Sequence, residues 1–236
     1  MKRRRSLLAA IASPLLLTPL ARAQAPPPRP APVGELKPLG GDRYQVGRIM
    51  VDKRARSFVV PGRVLVVGKP LEYIATSPGG MKDYETLLEV QASGSEFNLA
   101  CILIGLERDP KAASAQQFRQ VPRLVGPRVA LHVAWTEGGK RRQVSAAEAL
   151  LDAQAEVKPE TVEWVYVGSP ASAFLDGRFA ADETGTLVGF VHDPSTIIEA
   201  AVPIGLGAYG SVRGSALLPP VGTAIELIVQ AVSSAK

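Results

Sequence analysis

The side chains best suited to chemistry in this chain are its two histidines and the acids that could meet them. His192 is followed directly by Asp193, while Glu85, Asp182 and Glu183 lie in other segments. Imidazole and carboxylate groups are common ligands of divalent metal ions. These five residues are therefore candidate metal ligands, although no H-E-x-x-H or H-x-H spacing indicates that they meet. The competing interpretation is that the acids are solvated turn residues.

Nucleophilic catalysis lacks its usual signals. There is no G-x-S-x-G motif, and the only S-x-x-K spacing joins Ser233 to Lys236. Cys101, the only cysteine, lies among aliphatic residues of a predicted helix, where a thiol keeps its proton. We therefore predict no catalytic residue and interpret Cys101 as a buried structural thiol. A single cysteine also excludes an iron–sulfur cluster held by this chain alone.

Residues 205–210 match the dinucleotide-binding pattern G-x-G-x-x-G letter for letter. That motif works only where a strand leads into the first glycine and a helix begins at the loop. Pro203 stands just before it, and Gly214 and Pro219 follow, which leaves no room for such a helix. The segment is predicted to be a glycine-rich loop, and no cofactor is predicted.

Residues 1–23 have the composition of a signal peptide. They hold five basic residues and no acid, and their apolar stretch of about 14 residues ends before Ala21 and Ala23. This stretch is shorter than the roughly 20 residues that span a membrane. We expect cleavage after Ala23 and a periplasmic or secreted protein. The pair Arg4 and Arg5 leaves both twin-arginine export and general secretion open.

Without the signal peptide the chain has no net charge. The sequence carries 27 Lys and Arg against 22 Asp and Glu, and removal of the five basic residues leaves 27 − 5 = 22. Nucleic-acid binding needs a basic surface, so that class of function is excluded. No later segment is long and apolar enough for a membrane span.

The rest of the chain is predicted to be a tether and one domain. Residues 24–38 contain six prolines, which favour an extended linker. Residues 39–236 are predicted to form a single β-rich α+β domain, with mostly antiparallel sheet or sheets covered by three short helices. Residues 111–126 and 203–220 have no assignable pattern.

Short β-branched and aromatic runs between turn residues predict the strands. They cover 44–51, 57–60, 64–67, 71–75, 84–92, 129–135, 141–144, 162–167, 177–181, 187–191 and 223–232. Capping boxes predict one helix that begins after Ser93 and a second from Ser145 to about Ala155. Asp193 before proline predicts the start of the third helix.

Two of the predicted strands share the pattern V-G-x-x-[VI]-x-L-x-V, at 125–133 and 221–229. A repeated sheet unit would explain the likeness, and so would two similar strands after similar turns. We favour the second interpretation, because the residues between them show no further similarity that can be aligned.

Several segments, in this order along the chain, resemble the YdjY-like domain proteins. They are 47–52, 71–74, 84–88, 100–105, 164–169, 177–182 and 192–194. The resemblance implies an exported bacterial protein without an established activity. Some members are described as ferredoxin-like, which implies an iron–sulfur cluster. The single cysteine, Cys101, excludes that cofactor here. Many relatives have a histidine before the glutamate of the strand motif, where this chain has Tyr84.

These observations favour an exported binding domain that is not an enzyme and whose partner is an unidentified exported protein or a small ligand. Two alternatives stay open. One is a metal-dependent enzyme or metal-binding protein with a composite Glu, Asp and His site. The other is an accessory subunit of an exported redox complex, which the twin-arginine-like leader and the ferredoxin label suggest.

Overall fold

The computed structural model describes residues 34–113, 118–152, 161–169, 179–205 and 210–232. The predicted signal peptide, most of the predicted linker and the Ser233–Lys236 pair lie outside these residues. The described residues form fourteen strands and two α-helices. The helices are α1 (Gly94–Leu103) and α2 (Ala180–Thr184). The strands are β1 (Leu36–Gly40), β2 (Arg43–Val46), β3 (Ile49–Asp52), β4 (Ser57–Val64), β5 (Tyr73–Thr76), β6 (Thr86–Val90), β7 (Arg128–Glu137), β8 (Lys140–Ser145), β9 (Leu150–Asp152), β10 (Trp164–Tyr166), β11 (Thr186–Gly189), β12 (Ile198–Ala200), β13 (Val212–Gly214) and β14 (Ala224–Ala231).

Eight of these strands close into a barrel. Their order is β4-β14-β7-β10-β12-β11-β5-β6, and β6 pairs with β4 to complete the circle. The pairs β11–β12 and β5–β6 are parallel, and the other six are antiparallel. The predicted β-rich α+β class is confirmed, but the sheet is mixed. The described residues contain two α-helices where three were predicted.

Strands β7 and β14 show how alternating side chains build the core. Leu131 and Val133 of β7 are buried, as are Leu227 and Val229 of β14. The strands pair with Leu227 opposite Val133 and Val229 opposite Leu131. Because alternate side chains share a face, these pairs pack together in the core. The shared sequence pattern thus belongs to two neighbouring strands of one barrel.

Strand β4 runs straight through the predicted turn at Pro61 and Gly62. Its first residues pair with β3 and its last with β6, so one edge of β4 passes from one neighbour to the other. Proline has no N–H to donate at this point of exchange. A Cβ on Gly62 would lie 2.3 Å from the carbonyl oxygen of Glu89. The two residues allow β6 to pack closely against β4 where β3 leaves its edge, and they do not form a turn.

Strands β1, β2 and β3 extend the sheet outward from β4. The predicted strand over 44–51 is a hairpin of β2 and β3, because Gly47 adopts a φ of 55° and the chain reverses there. Strand β1 pairs with β2 from Leu36 onward, within the segment predicted as linker. Helix α1 packs on this region, where Phe97 meets Phe58 edge to face at 5.1 Å between ring centroids.

The first predicted helix is confirmed, and the second is wrong. Ser93 and Glu96 form the capping box at the start of α1. Ser145 and Glu148 form the same reciprocal hydrogen bonds, but the chain makes a single turn and then enters β9, which pairs with β13. The capping residues specify a helical first turn but do not extend it into a helix. Residues 153–155 of that predicted helix lie outside the described residues.

The third predicted helix is also wrong. Ile198–Ala200 form β12 between β10 and β11, and all are fully buried. A short apolar run fits a buried strand as well as one face of a helix. The predicted strand over 177–181 is corrected too: Ala180–Thr184 form α2, which ends at Gly185 with a φ of 74°. Residues 177 and 178 lie outside the described part.

Candidate functional site

Asp182 and Glu183, two of the five candidate metal ligands, lie on α2. The Asp182 carboxylate accepts hydrogen bonds from the backbone N–H of Ser95, at 2.7 Å, and from its hydroxyl. A Cβ on Gly94 would lie 2.6 Å from the backbone of Ala181, so the two helices touch there. Asp182 therefore holds the start of α1 against α2, and Glu183 follows it in the same short helix.

Glu85 directly precedes β6, at the end of a short 3-10 turn, with 5% of its surface exposed. The Lys82 ammonium lies 2.5 Å from its carboxylate and 3.3 Å from the hydroxyl of Tyr84. The hydrogen bond to Glu85 is the main cause that raises the pKa of Lys82. Glu85 is therefore paired with a firmly protonated lysine.

His192 and Asp193 lie in the connection between β11 and β12. His192 has a φ of 62°, a left-handed conformation that is uncommon for a residue other than glycine. The Asp193 carboxylate accepts hydrogen bonds from the Tyr73 hydroxyl at 2.8 Å, the Ser195 hydroxyl at 2.7 Å and the Ser195 N–H at 3.0 Å. These bonds tie the connection to β5.

Glu199 holds the same connection from the inside. It lies on β12 with none of its surface exposed. Its carboxyl group accepts hydrogen bonds from the N–H groups of His192 and Asp193, at 3.2 and 3.0 Å, and from the Thr196 hydroxyl at 2.7 Å. Burial raises its pKa to about 8, against the opposing effect of the Thr196 and amide hydrogen bonds. Glu199 is thus a buried acid that keeps its proton at neutral pH.

Glu72 connects the two groups of acids electrostatically. It directly precedes Tyr73 of β5 and is partly buried. Burial is the main cause that raises its pKa, followed by the charge of Glu85, and Asp193 acts in the same direction. Lys82 and Arg119 act against this shift without cancelling it. We call Glu72, Glu85, Asp193 and Glu199 the acidic cluster.

A small cavity of about 90 Å³ adjoins the acidic cluster at Glu72. Ser211 contributes the other polar side chain, and its buried hydroxyl has no hydrogen-bond partner among the described residues. The remaining walls are apolar or glycine: Leu71, Val191, Ile204, Gly205, Gly210 and Val212. Residues 206–209 of the predicted glycine-rich loop lie outside the described residues. We call this space the Glu72–Ser211 cavity.

The structure thus brings Glu85, His192 and Asp193 to one end of the barrel and leaves Asp182 at the α1–α2 contact. In the described part of the chain, no three His, Cys, Asp or Glu residues are grouped so as to hold a metal ion. Cys101 is fully buried in α1, and burial raises the pKa of its thiol. The predicted buried thiol is confirmed.

Sequence reasoning did not find Glu72, Glu199 or Ser211 as site residues. Glu72 stands within one of the segments on which the predicted resemblance to the YdjY-like proteins rests, which was its only signal. Glu199 lies in the stretch predicted as a helix, and nothing in the sequence marks Ser211. Both acquire their surroundings only when distant strands close the barrel.

Among the described residues, no helix is long and apolar enough to cross a membrane. The geometry offers a carboxylate, a hydroxyl without a partner in the described part of the chain, and apolar walls in one small space. Comparisons of the chain with protein-family models, with curated proteins and with solved structures found no match.

Proposed function

We propose that this protein is an exported binding domain that does no covalent chemistry and holds a small organic cation in the Glu72–Ser211 cavity. The observation that carries the proposal is the pair of polar groups there. A carboxylate and a buried hydroxyl that has no partner among the described residues line one apolar space. A buried polar group without a hydrogen bond is costly, and a ligand that supplies the bond removes that cost.

The charges around Glu72 favour a positively charged ligand. Its pKa is raised because burial and the neighbouring acids outweigh the nearby cations. Lys82 is already engaged at 2.5 Å with Glu85. A bound ammonium group next to Glu72 would favour its ionised form, as an opposite charge within a few ångströms does. The Ser211 hydroxyl would accept a hydrogen bond from the same group.

The size and walls of the cavity restrict the ligand further. Its volume of about 90 Å³ lies far below the ~300–1,000 Å³ of pockets that enclose drug-sized ligands. Leu71, Val191 and Ile204 offer contacts to a short alkyl chain. An alkylammonium group, free or at the end of a longer molecule, fits these conditions.

Calorimetric titration of residues 24–236 with n-butylammonium, n-butanol and butyrate tests the proposal. We expect butylammonium to bind and to be recovered chemically unchanged, with butanol much weaker and butyrate silent. Glu72→Gln should weaken binding about 10- to 100-fold, since it removes a charged hydrogen-bond acceptor. Ser211→Ala should weaken it about 2- to 10-fold.

Glu226→Gln is the matched control, because it removes one negative charge from a partly exposed side chain of β14 that pairs with Arg141 and does not line the cavity. It should leave the affinity for butylammonium unchanged. Equal binding of butanol and butylammonium, or an equal loss in Glu226→Gln and Glu72→Gln, would contradict the proposal. Stoichiometric metal in elemental analysis of the purified protein would instead favour the metal-dependent alternative.

A further inference from the structure

A second recess lies on another part of the surface, between β8 and residues 216–220. Its volume is about 450 Å³. One wall is formed by β8 and Trp135 of β7, and the other by Leu217, Leu218 and two prolines. Leu217 is 58% exposed. We call this recess the Trp135 groove, and it shares no lining residue with the Glu72–Ser211 cavity.

Trp135 provides a hydrogen-bond donor without an acceptor. The residue is 93% buried, since 7% of its surface is exposed. Its indole Nε1–H has no partner among the described residues. Indole N–H groups usually find an acceptor when they are buried. The groove therefore contains an aromatic side chain that can still donate one hydrogen bond.

Strand β8 provides a row of backbone groups at the same groove. Among the described residues it pairs only with β7. The N–H of Ser145 turns away from β7 and donates to the Glu148 carboxylate at 2.8 Å. Since inward and outward groups alternate along an antiparallel strand, Arg141 and Gln143 also direct their N–H and C=O groups outward. An extended peptide can pair with such an edge.

Charge selects among possible occupants. Lys140, Arg141 and Arg142 are consecutive and exposed on β8. Arg141 forms an ion pair with Glu226 at 2.7 Å, and Arg142 forms one with Glu137 at 3.3 Å. A second copy that paired its β8 here would bring two sets of three cations together, and like charges opposite each other destabilise a sheet. Acidic side chains would be attracted instead, because exposed ion pairs of this kind exchange at little cost.

We propose that the Trp135 groove binds an extended acidic segment of another protein, which adds a strand to β8. A side-chain carboxylate of the added strand, on the face of the sheet that holds Trp135 and Arg142, would accept the hydrogen bond of the Trp135 indole N–H. One of its apolar side chains would contact Leu217, and its carboxylates would meet the cations of β8. This interaction is independent of the cation site proposed above.

A synthetic peptide of alternating valine and glutamate tests the proposal, with a valine–lysine peptide as its control. The chain has two tryptophans, so uniformly ¹⁵N-labelled protein gives two indole N–H signals, and Trp135→Phe identifies that of Trp135. We expect the glutamate peptide alone to shift this signal downfield at millimolar concentration. Trp135→Phe should weaken peptide binding about 2- to 10-fold, because it removes the hydrogen bond that the indole N–H donates.

Two variants separate strand addition from other binding. Gln143→Pro removes an outward N–H and no bond to β7, and proline is tolerated on edge strands. It should abolish binding while the thermal midpoint is retained. If it fails to fold, Leu217→Asp on the exposed opposite wall replaces it, with the same expected loss. The proposal is overturned if the glutamate peptide does not bind, if the lysine peptide binds equally, if the Trp135 signal stays in place, or if a folded variant binds as wild type.

Discussion

Glu199 keeps a proton in the folded protein under conditions where an exposed glutamate has lost it. Burial raises its pKa from 4.5 to about 8. Between these two values the folded state binds one more proton than the unfolded state, so stability falls as pH rises. Below about pH 4.5 the stabilisation from Glu199 protonation is fully present, and above about pH 8 it is completely lost.

We therefore expect the free energy of unfolding to decrease by a few kcal/mol between about pH 5 and pH 8. Glu199→Gln should remove this slope, because an amide does not titrate in the range. It should also lower stability at pH 5 by about 1–3 kcal/mol, because an amide NH₂ group cannot accept a hydrogen bond, whereas the hydroxyl oxygen of the protonated carboxyl group still can. Urea denaturation at a series of pH values measures both effects. An equal slope in wild type and Glu199→Gln would contradict the assignment of this pH dependence to Glu199.

Glu72 makes the proposed cation binding depend on pH. Burial and the charge of Glu85 raise its pKa above 4.5, whereas an alkylammonium ion stays protonated throughout this range. As pH falls, Glu72 is neutralised and binding should weaken, at higher pH than for an exposed carboxylate. Titrations with butylammonium from about pH 8 to about pH 4 measure the change. The ordinary pKa of a glutamate is 4.5. An affinity for butylammonium that stays constant to below that pH would contradict the role of Glu72 as the counter-charge.

At the level of single residues, the structure places three of the five predicted metal ligands, Glu85, His192 and Asp193, at one end of the barrel, and their role as ligands stays a prediction. The sequence offers no means to reject Asp182, because an acid that caps a neighbouring helix looks like any other acid in a sequence. Glu72 and Ser211 could not be paired from the sequence, since 139 positions separate them and only barrel closure brings them together.

The close pairing of β4 with β6 depends on the absence of a side chain at Gly62. A Cβ there would lie 2.3 Å from the Glu89 carbonyl oxygen, closer than real atoms approach. Because the obstacle is backbone, Gly62→Ala should force β4 and β6 apart and destabilise the fold by roughly 2–4 kcal/mol.

Gly68→Ala is the matched control for this change, because a Cβ at Gly68 would meet no atom within 4 Å. It should change the free energy of unfolding by less than about 0.5 kcal/mol. Urea denaturation of both variants measures the difference. Similar stabilities for the two would show that β4 and β6 do not approach as closely as described.

Elements were predictable where local chemistry decides them. The capping box at Ser93 begins a helix, and the pair Gly138 and Gly139, with φ of 55° and 76°, closes the β7–β8 hairpin. Prediction failed where neighbours decide. Pro61 and Gly62 have the composition of a turn, yet tertiary pairing keeps them in a strand, and the β12 residues are extended because β10 and β11 flank them.

The whole molecule is proposed to act outside the cytoplasm. We expect N-terminal sequencing of the protein from the cell envelope or medium to begin at Gln24, because the charged and apolar pattern of residues 1–23 is typical of a cleaved signal peptide. Arg4→Lys with Arg5→Lys should block export only if the twin-arginine route is used. Recovery of the native protein with Met1 still attached would contradict the proposed signal peptide.

At this scale the sequence predicted the β-rich class and missed the barrel. Alternation along β7 and β14 reveals which face of each strand is buried, but not which strands are neighbours. Closure depends on pairs such as β4–β6 and on the two parallel pairs, whose partners are set by the complete chain. The resemblance to the YdjY-like proteins stays a prediction.

The position of β14 has a consequence for how this protein is made. It comes after the other seven barrel strands in the chain, yet it lies between β4 and β7. During synthesis, β4 and β7 therefore leave the ribosome before the strand that pairs with both of them. One edge of each strand stays unpaired until residues 224–231 emerge. Unpaired strand edges make nascent chains prone to aggregation. Chaperones that bind the growing polypeptide would be needed most before β14 is synthesised, while these strand edges are exposed.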